Sequence, residues 1–354
     1  MCYKKLNMSK KNSSAILKNG FVDFKDLSLI YLDFKKKLDN FNKKSYIVAI
    51  SGGPDSLGLA ALTKAYSFKK KTRFHYVLVD HNIRSNSSKE AKQVKNLLNK
   101  HGIKLDILRN NLEIKKNIQS EARKIRYKML ITYSIKKSTK TILTGHNLED
   151  QVETFFIRLS RGSGLTGLSS MKPLTKLVNK IELYRPLLNI KKDSLLKISK
   201  KIFKKYIKDP SNNNTKFLRT KIRNLKIPLK QSGIDYDQII KSINNLASSN
   251  EVLEQYLQGI FRDLIKLSNK QISINFKKFI NLNLEVKIRL INETIKNLKK
   301  NYYSLRSKKV INLITSIEKK DFKKATLGGC LFFKKKDNLC VKAENVTKLI
   351  KKRI

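Results

Sequence analysis

Residues 46–56, YIVAISGGPDS, constrain the fold more than any other stretch of the chain. Ile47, Val48, Ala49 and Ile50 form a short, unalternating apolar run, the pattern of a parallel strand buried on both faces. Helical spacing follows at once through Leu57, Leu59, Ala60, Ala61, Leu62 and Ala65. A strand's carboxyl end therefore feeds a helix's amino end through a Gly-Gly-Pro bend, and such a bend binds anions. Gly52 and Gly53 let backbone N–H groups approach a phosphate, Ser51 and Ser56 add hydroxyls, and Pro54 costs no hydrogen bond in a first helical turn. Asp55 is the odd member, because a carboxylate repels phosphate unless a cation lies between them; it implies Mg²⁺. An isolated Gly-Gly-Pro turn with a capping Asp would look similar, but all six residues between strand and helix are more specific. The bend has no GxxxxGK(S/T) pattern and no lysine, which argues against a kinase-type or GTPase-type loop.

The chain of 354 residues carries a formal net charge of +51 with 40% hydrophobic residues, so it is globular and not a disordered polycation. The charge points to nucleic acid, but Lys, Asn and Ile are over-used together, and part of the lysine excess is compositional. Arginine is more informative, being only 14 of the 78 basic residues. Arg84, Arg123, Arg126, Arg158, Arg161, Arg185, Arg219 and Arg223 are candidates for bidentate recognition of phosphate or carboxylate, which lysine cannot copy. Cys2, Cys330 and Cys340 have no CxxC or metal spacing, against a disulfide framework, zinc or an iron–sulfur cluster. The amino end has no signal-peptide core and no run approaches a membrane span, which predicts a cytoplasmic protein with no membrane partner.

Further strands are predicted at Phe74–Val79, Lys104–Leu108, Thr141–Thr144 and Glu182–Leu188, alternating with helices. Polar residues gather where the strands end, the ligand-binding edge of an open α/β sheet. Asp80, His81 and Arg84 follow the second strand, and His146, Glu149, Asp150 and Glu153 follow the fourth. Those carboxylates either cap the helix or help build a Mg²⁺ site with Asp55. Arg123 and Arg126 or Tyr127 share one helical face, as do Arg219 and Arg223. RGSGLTG, residues 161–167, reads as a closing loop. From Asn224 the pattern turns to amphipathic helices, and the tail from Ala325 reads as a small hairpin turning near Asp337 and Asn338.

SGGPDS, VDHNIR, EARKIRY, GHNLEDQVET and RGSGLTGL, in this order with RPLL and DPSN…R…R, resemble the tRNA(Ile)-lysidine synthetase family of the ATP-pyrophosphatase (PP-loop) superfamily. The resemblance implies an ATP- and Mg²⁺-dependent ligase. It adenylates the wobble cytidine of an isoleucine tRNA with a CAU anticodon, then joins free lysine to carbon 2, releasing AMP and pyrophosphate. The implied catalytic residues are Asp55, Asp150, His146 and Arg123, with Asp55 and Asp150 on the metal. The implied nucleotide site is Ser51, Gly52, Gly53, Pro54, Asp55, Ser56, Asp80, His81 and Arg84. The implied substrate contacts are Arg126, Glu149, Glu153, Arg161, Arg185, Arg219 and Arg223. One departure is visible at Glu149, where the family usually has Asp.

The expected fold is α/β: a Rossmann-like parallel-sheet catalytic domain over residues 24–223 after a loose leader, 1–23. A helical tRNA-binding domain, 224–322, and a β hairpin with a basic tail, 323–354, follow. The oligomeric state stays open, dimer included. Two other readings are a PP-loop tRNA cytidine sulfurtransferase, which the cysteine spacing disfavours, and a non-catalytic basic RNA-binding protein.

Overall fold

The structure is a computed structural model and describes residues 13–83, 86–112, 114, 118–207, 217–268, 271–299, 305 and 307–344. The chain divides into two compact units, residues 1–162 with 167–244, and residues 163–166 with 245–354.

The first unit runs α1 (Ser13–Asn19), α2 (Lys25–Phe41), β1 (Ser45–Ile50), α3 (Pro54–Ser67), β2 (Arg73–Asp80), α4 (Ser87–Asn99) and β3 (Leu105–Arg109). It continues with α5 (Ile118–Lys136), β4 (Thr141–Leu143), α6 (Leu148–Leu159), the end of α7 (Leu165–Leu168), β5 (Leu174–Lys176), β6 (Glu182–Tyr184), α8 (Lys192–Phe203), α9 (Leu218–Asn224), α10 (Lys226–Gln231) and the start of α11 (Tyr236–Leu264). The strand order is β3-β2-β1-β4-β6-β5, parallel throughout except for β5, which runs antiparallel to β6. From β1 the chain builds outward to β2 and β3, then returns to place β4 on the other flank. The loops after β1 and β4 therefore diverge at a topological switch point, where this class of sheet opens a crevice.

Burial explains why α3 is apolar on nearly every side. Ile47 and Val48 of β1 are fully buried, and so are Leu57, Leu59, Ala60, Ala61, Leu62 and Ala65 of α3. A helix shielded all round needs no polar face, and each leucine contributes about 1.5–3 kcal/mol by leaving water. Gly58 lets α8 come close: a Cβ there would stand 3.2 Å from Leu195 Cδ2.

The second unit holds the rest of α11, then β7 (Ile265–Ser268), β8 (Gln271–Asn275), α12 (Phe276–Ile280), α13 (Leu284–Leu298), α14 (Ser307–Ile317), β9 (Lys324–Leu327), β10 (Cys330–Lys335) and β11 (Asn338–Ala343). Its antiparallel sheet is ordered β7-β8-β11-β10-β9 around a core that includes Ile272, Ile274, Phe332, Leu339 and Val341.

Several expectations need correction. The leader is not loose over its described part, because Ile16, Leu17 and Phe21 are buried in the main core. The segment after Asn224 is not wholly helical. QISIN alternates at strand period and pairs with β11, so the tail hairpin is two strands of a five-stranded sheet. Cys330 and Cys340 are free, buried and out of register, opposite Ala343 and Phe333 respectively. Strand β5 was not foreseen; three residues on an edge leave little periodic signal.

Candidate active site

The glycine bend is pre-shaped by its own hydroxyls. The Ser51 N–H and the Ser51 hydroxyl both donate to Ser56 Oγ at 3.1 Å, and Ser56 Oγ donates to the Gly53 carbonyl at 3.0 Å. Gly52 has φ +83°, and a Cβ on it would lie 2.6 Å from Val94 Cγ2, so conformation and space both require glycine. Gly53 caps α3 without a side-chain bond and Pro54 opens the helix, which leaves the amino end of α3 facing the crevice.

Gly145, at the end of β4, lies against this turn: a Cβ on it would meet the Asp55 carbonyl oxygen at 2.9 Å. Helix α6 begins beside it with a capping box. Asn147 Oδ1 accepts the Asp150 N–H at 3.0 Å, and Asp150 Oδ2 accepts the Asn147 N–H at 3.1 Å. The other Asp150 oxygen accepts from Arg219 Nη2 at 2.6 Å. Glu153, 2% exposed at its side chain, accepts from Arg219 Nε at 2.5 Å and Arg223 Nε at 2.8 Å. Glu149 accepts the Lys192 N–H at 2.8 Å and faces Lys226 Nζ at 3.5 Å. Capping is thus realised at Asp150 and Glu149, and Arg219 and Arg223 converge on one carboxylate.

Asp55 differs from these acids. Burial pushes its carboxyl up to about 6; Lys192 opposes this, while Asp150 and Glu149 add to it. Its Oδ1 is buried without a hydrogen-bond partner. A buried orphan carboxylate oxygen beside an anion-binding bend fits a Mg²⁺ ligand, since Mg²⁺ takes one or two carboxylates and completes its shell with phosphate and water. Among the described residues no three His, Cys, Asp or Glu side chains converge on a metal, so phosphate oxygens would have to supply the remainder.

The histidines stay neutral. Burial, then the charges of Arg185, Arg123, Arg219 and Arg126, holds the His146 imidazole down at about 3, and its Nδ1 lies 2.8 Å from Thr144 Oγ1. Burial and Arg126 hold His81 at about 4; Arg126 Nε donates to His81 Nε2 at 3.4 Å. Burial works against ionisation of Asp80, but the Asn82 amide, the Ser88 and Ser87 hydroxyls and Arg109 outweigh it and lower its pKa. Arg123 stacks on Tyr127 with 5.0 Å to the ring centroid. Arg185 is buried and donates to the Lys172 carbonyl and the Thr175 hydroxyl, which makes it a support of β5 as well as a charge near His146.

Arg84 lies outside the described residues, as do Asp209 and Asn212 of the DPSN segment. Arg161 is exposed. The loop after it is anchored at two places: Arg158 donates to the Gly167 and Ser170 carbonyls at 2.7 Å, and the Thr166 hydroxyl donates to Asn250 Oδ1 at 3.0 Å. Sequence reasoning missed Asn147, Lys192 and the close approach at Gly145. Asn147 was within reach, standing three residues before an acid at a helix start. Lys192 was one lysine among many.

Residues 29–229 match the PP-loop domain family ATP_bind_3, more than half of the chain. The tRNA(Ile)-lysidine synthase of Wolbachia pipientis wMel is 33% identical over 310 residues, covering 86% of this chain and 72% of that protein. The enzyme of the same name from Orientia tsutsugamushi is 42% identical over 181 residues, 50% of this chain and 40% of that one. Among solved structures, the U34-tRNA thiolase NcsA from Methanococcus maripaludis superposes with a TM-score of 0.54 at 20% identity, covering 63% of this chain and 80% of that one; it shares the fold. The domain match across the glycine bend and the crevice, with relatives of one name along most of the sequence, shows that the chain belongs to the tRNA(Ile)-lysidine synthase family, an ATP-using PP-loop ligase.

Proposed function

We propose that this protein joins free lysine to carbon 2 of the wobble cytidine in an isoleucine tRNA bearing CAU. In the first step the cytidine O2 attacks the α-phosphorus of ATP and pyrophosphate leaves. In the second the lysine ε-amine attacks carbon 2, a proton is lost, and AMP departs with the former carbonyl oxygen.

One observation carries this reading: the anion-binding end of α3 is in backbone contact with the strand end that leads into α6, where Asp150, Glu153, Arg219 and Arg223 form a cluster of both charge signs. A zwitterionic amino acid needs both signs at once. The bend from Ser51 to Ser56 suits the pyrophosphate portion of ATP. Asp55, with Asp150 beside it, would hold Mg²⁺, which when bound neutralises phosphate charge during displacement. Arg123, Arg126 and Arg185, all acting on neutral His146, put fixed positive charge where the transferring phosphoryl group gains negative charge. The net charge of +51 supports binding of the tRNA body, with the unit after Asn244 and its sheet as the proposed grip. Sulfur transfer is disfavoured, because both described cysteines are packed in the second unit's sheet. No helix among the described residues is long and apolar enough to cross a membrane.

The test is the fate of α-labelled ATP in the presence of free lysine, with and without the CAU-bearing isoleucine transcript. Labelled AMP that accumulates only with tRNA supports the proposal, and labelled ADP contradicts it.

A further inference from the structure

Among the helices that begin at the carboxyl edge of the parallel sheet are α3, α6 and α8. The α6 end is closed by its own capping box. The α8 end is closed from outside: Glu149, 8% exposed, accepts the N–H of Lys192, the residue that opens α8. Of these three, the α3 end has no side-chain cap and is left for an anion. Helix α8 is fixed from two sides, by Leu195 against Gly58 of α3 and by the Leu148 N–H donating to the Ile190 carbonyl at 3.0 Å. Lys192 is thereby held against the first turn of α6, at the start of a helix packed on α3.

We propose that Glu149 is a positioning residue and not a ligand of metal or substrate. It holds Lys192 beside the glycine bend, where the Lys192 ammonium is the phosphate-binding cation that the bend itself lacks. A lysine in the first turn of a helix opposes the helix dipole. Glu149 offsets that cost from the backbone side, and a bound triphosphate offsets it from the other. Lys192 is also the cation that acts most strongly on Asp55, in agreement with this placement. The inference rests on ATP binding at the bend, as proposed above.

The test uses the full chain, equilibrium dialysis with MgATP, and labelled-lysine transfer to tRNA for the lysine KM. Lys192→Met should raise the ATP Kd about tenfold or more and leave the lysine KM in place, and Lys192→Arg should recover most of the affinity. Glu149→Gln, whose amide oxygen still accepts the N–H, should stay close to wild type, while Glu149→Ala should weaken ATP binding in the direction of Lys192→Met. Circular dichroism checks that each variant is folded. Unchanged ATP binding in Lys192→Met, or Glu149→Gln as damaging as Glu149→Ala with the loss falling on lysine KM, overturns the inference. A wild-type protein that binds no ATP would instead overturn the proposed function.

Discussion

A Cβ on Gly145 would stand 2.9 Å from the Asp55 carbonyl oxygen, so the end of β4 and the first turn of α3 touch through backbone alone. The neighbour is main chain and cannot swing aside. Gly145→Ala should therefore displace the α3 turn, cost about 1–3 kcal/mol in denaturant unfolding, and weaken ATP binding. Gly259→Ala is the contrast. It lies within α11 with nothing inside 4 Å of a new Cβ, and should stabilise by up to about 1 kcal/mol.

Asp55 exchanges stability for function. Its folded pKa of about 6 lies above the ordinary 3.8, so the neutral acid is the form that the apo fold favours. That stabilisation is complete below pH 3.8 and is lost as pH rises through 6. Asp55→Asn should accordingly melt higher than wild type at pH 8 without metal, match it near pH 4, and form no AMP. A melting temperature that falls at pH 8 would contradict this.

His146 and His81 carry the opposite sign. With folded pKa values of about 3 and about 4, each contributes stability that is present above pH 6.5 and lost as pH falls toward those values. The imidazole signals of both should show no titration between pH 5 and 8 by NMR. The stability gap between wild type and His146→Gln should narrow from pH 7.5 to pH 4.5.

Glu153 is buried at its side chain with two guanidiniums on it, while Arg219 and Arg223 remain 41% and 32% exposed at theirs. Glu153→Gln should cost about 2–4 kcal/mol, less than breaking a fully buried pair, because solvent rescues part of the arginine charge. If the cluster receives lysine, the same variant should raise the lysine KM and spare the ATP Kd.

The parallel core was legible because Ile47–Ile50 and residues 76–79 are continuous apolar runs bounded by glycine and polar residues, a pattern dictated by burial on both faces. Arg219 and Arg223 were legible as a pair from their spacing, but Glu153 as their shared partner was not. That contact spans 66 and 70 residues and depends on how α9 packs on α6. Likewise, whether Glu149 caps a helix or binds a ligand rests on Lys192, which is 43 positions away. The second sheet was missed for a related reason. QISIN is too short to read as core until β11 pairs with it.

The central claim is that the bend at Ser51–Ser56 works with the α6 cluster to join lysine to one particular tRNA. The most direct measurement incubates the protein with ATP, Mg²⁺, labelled lysine and transcripts of both CAU-bearing tRNAs. The account predicts label in the isoleucine transcript alone, released AMP in equal amount, and neither with Asp55→Ala. Label in the methionine transcript as well, or lysine transfer that survives Asp55→Ala, would contradict it.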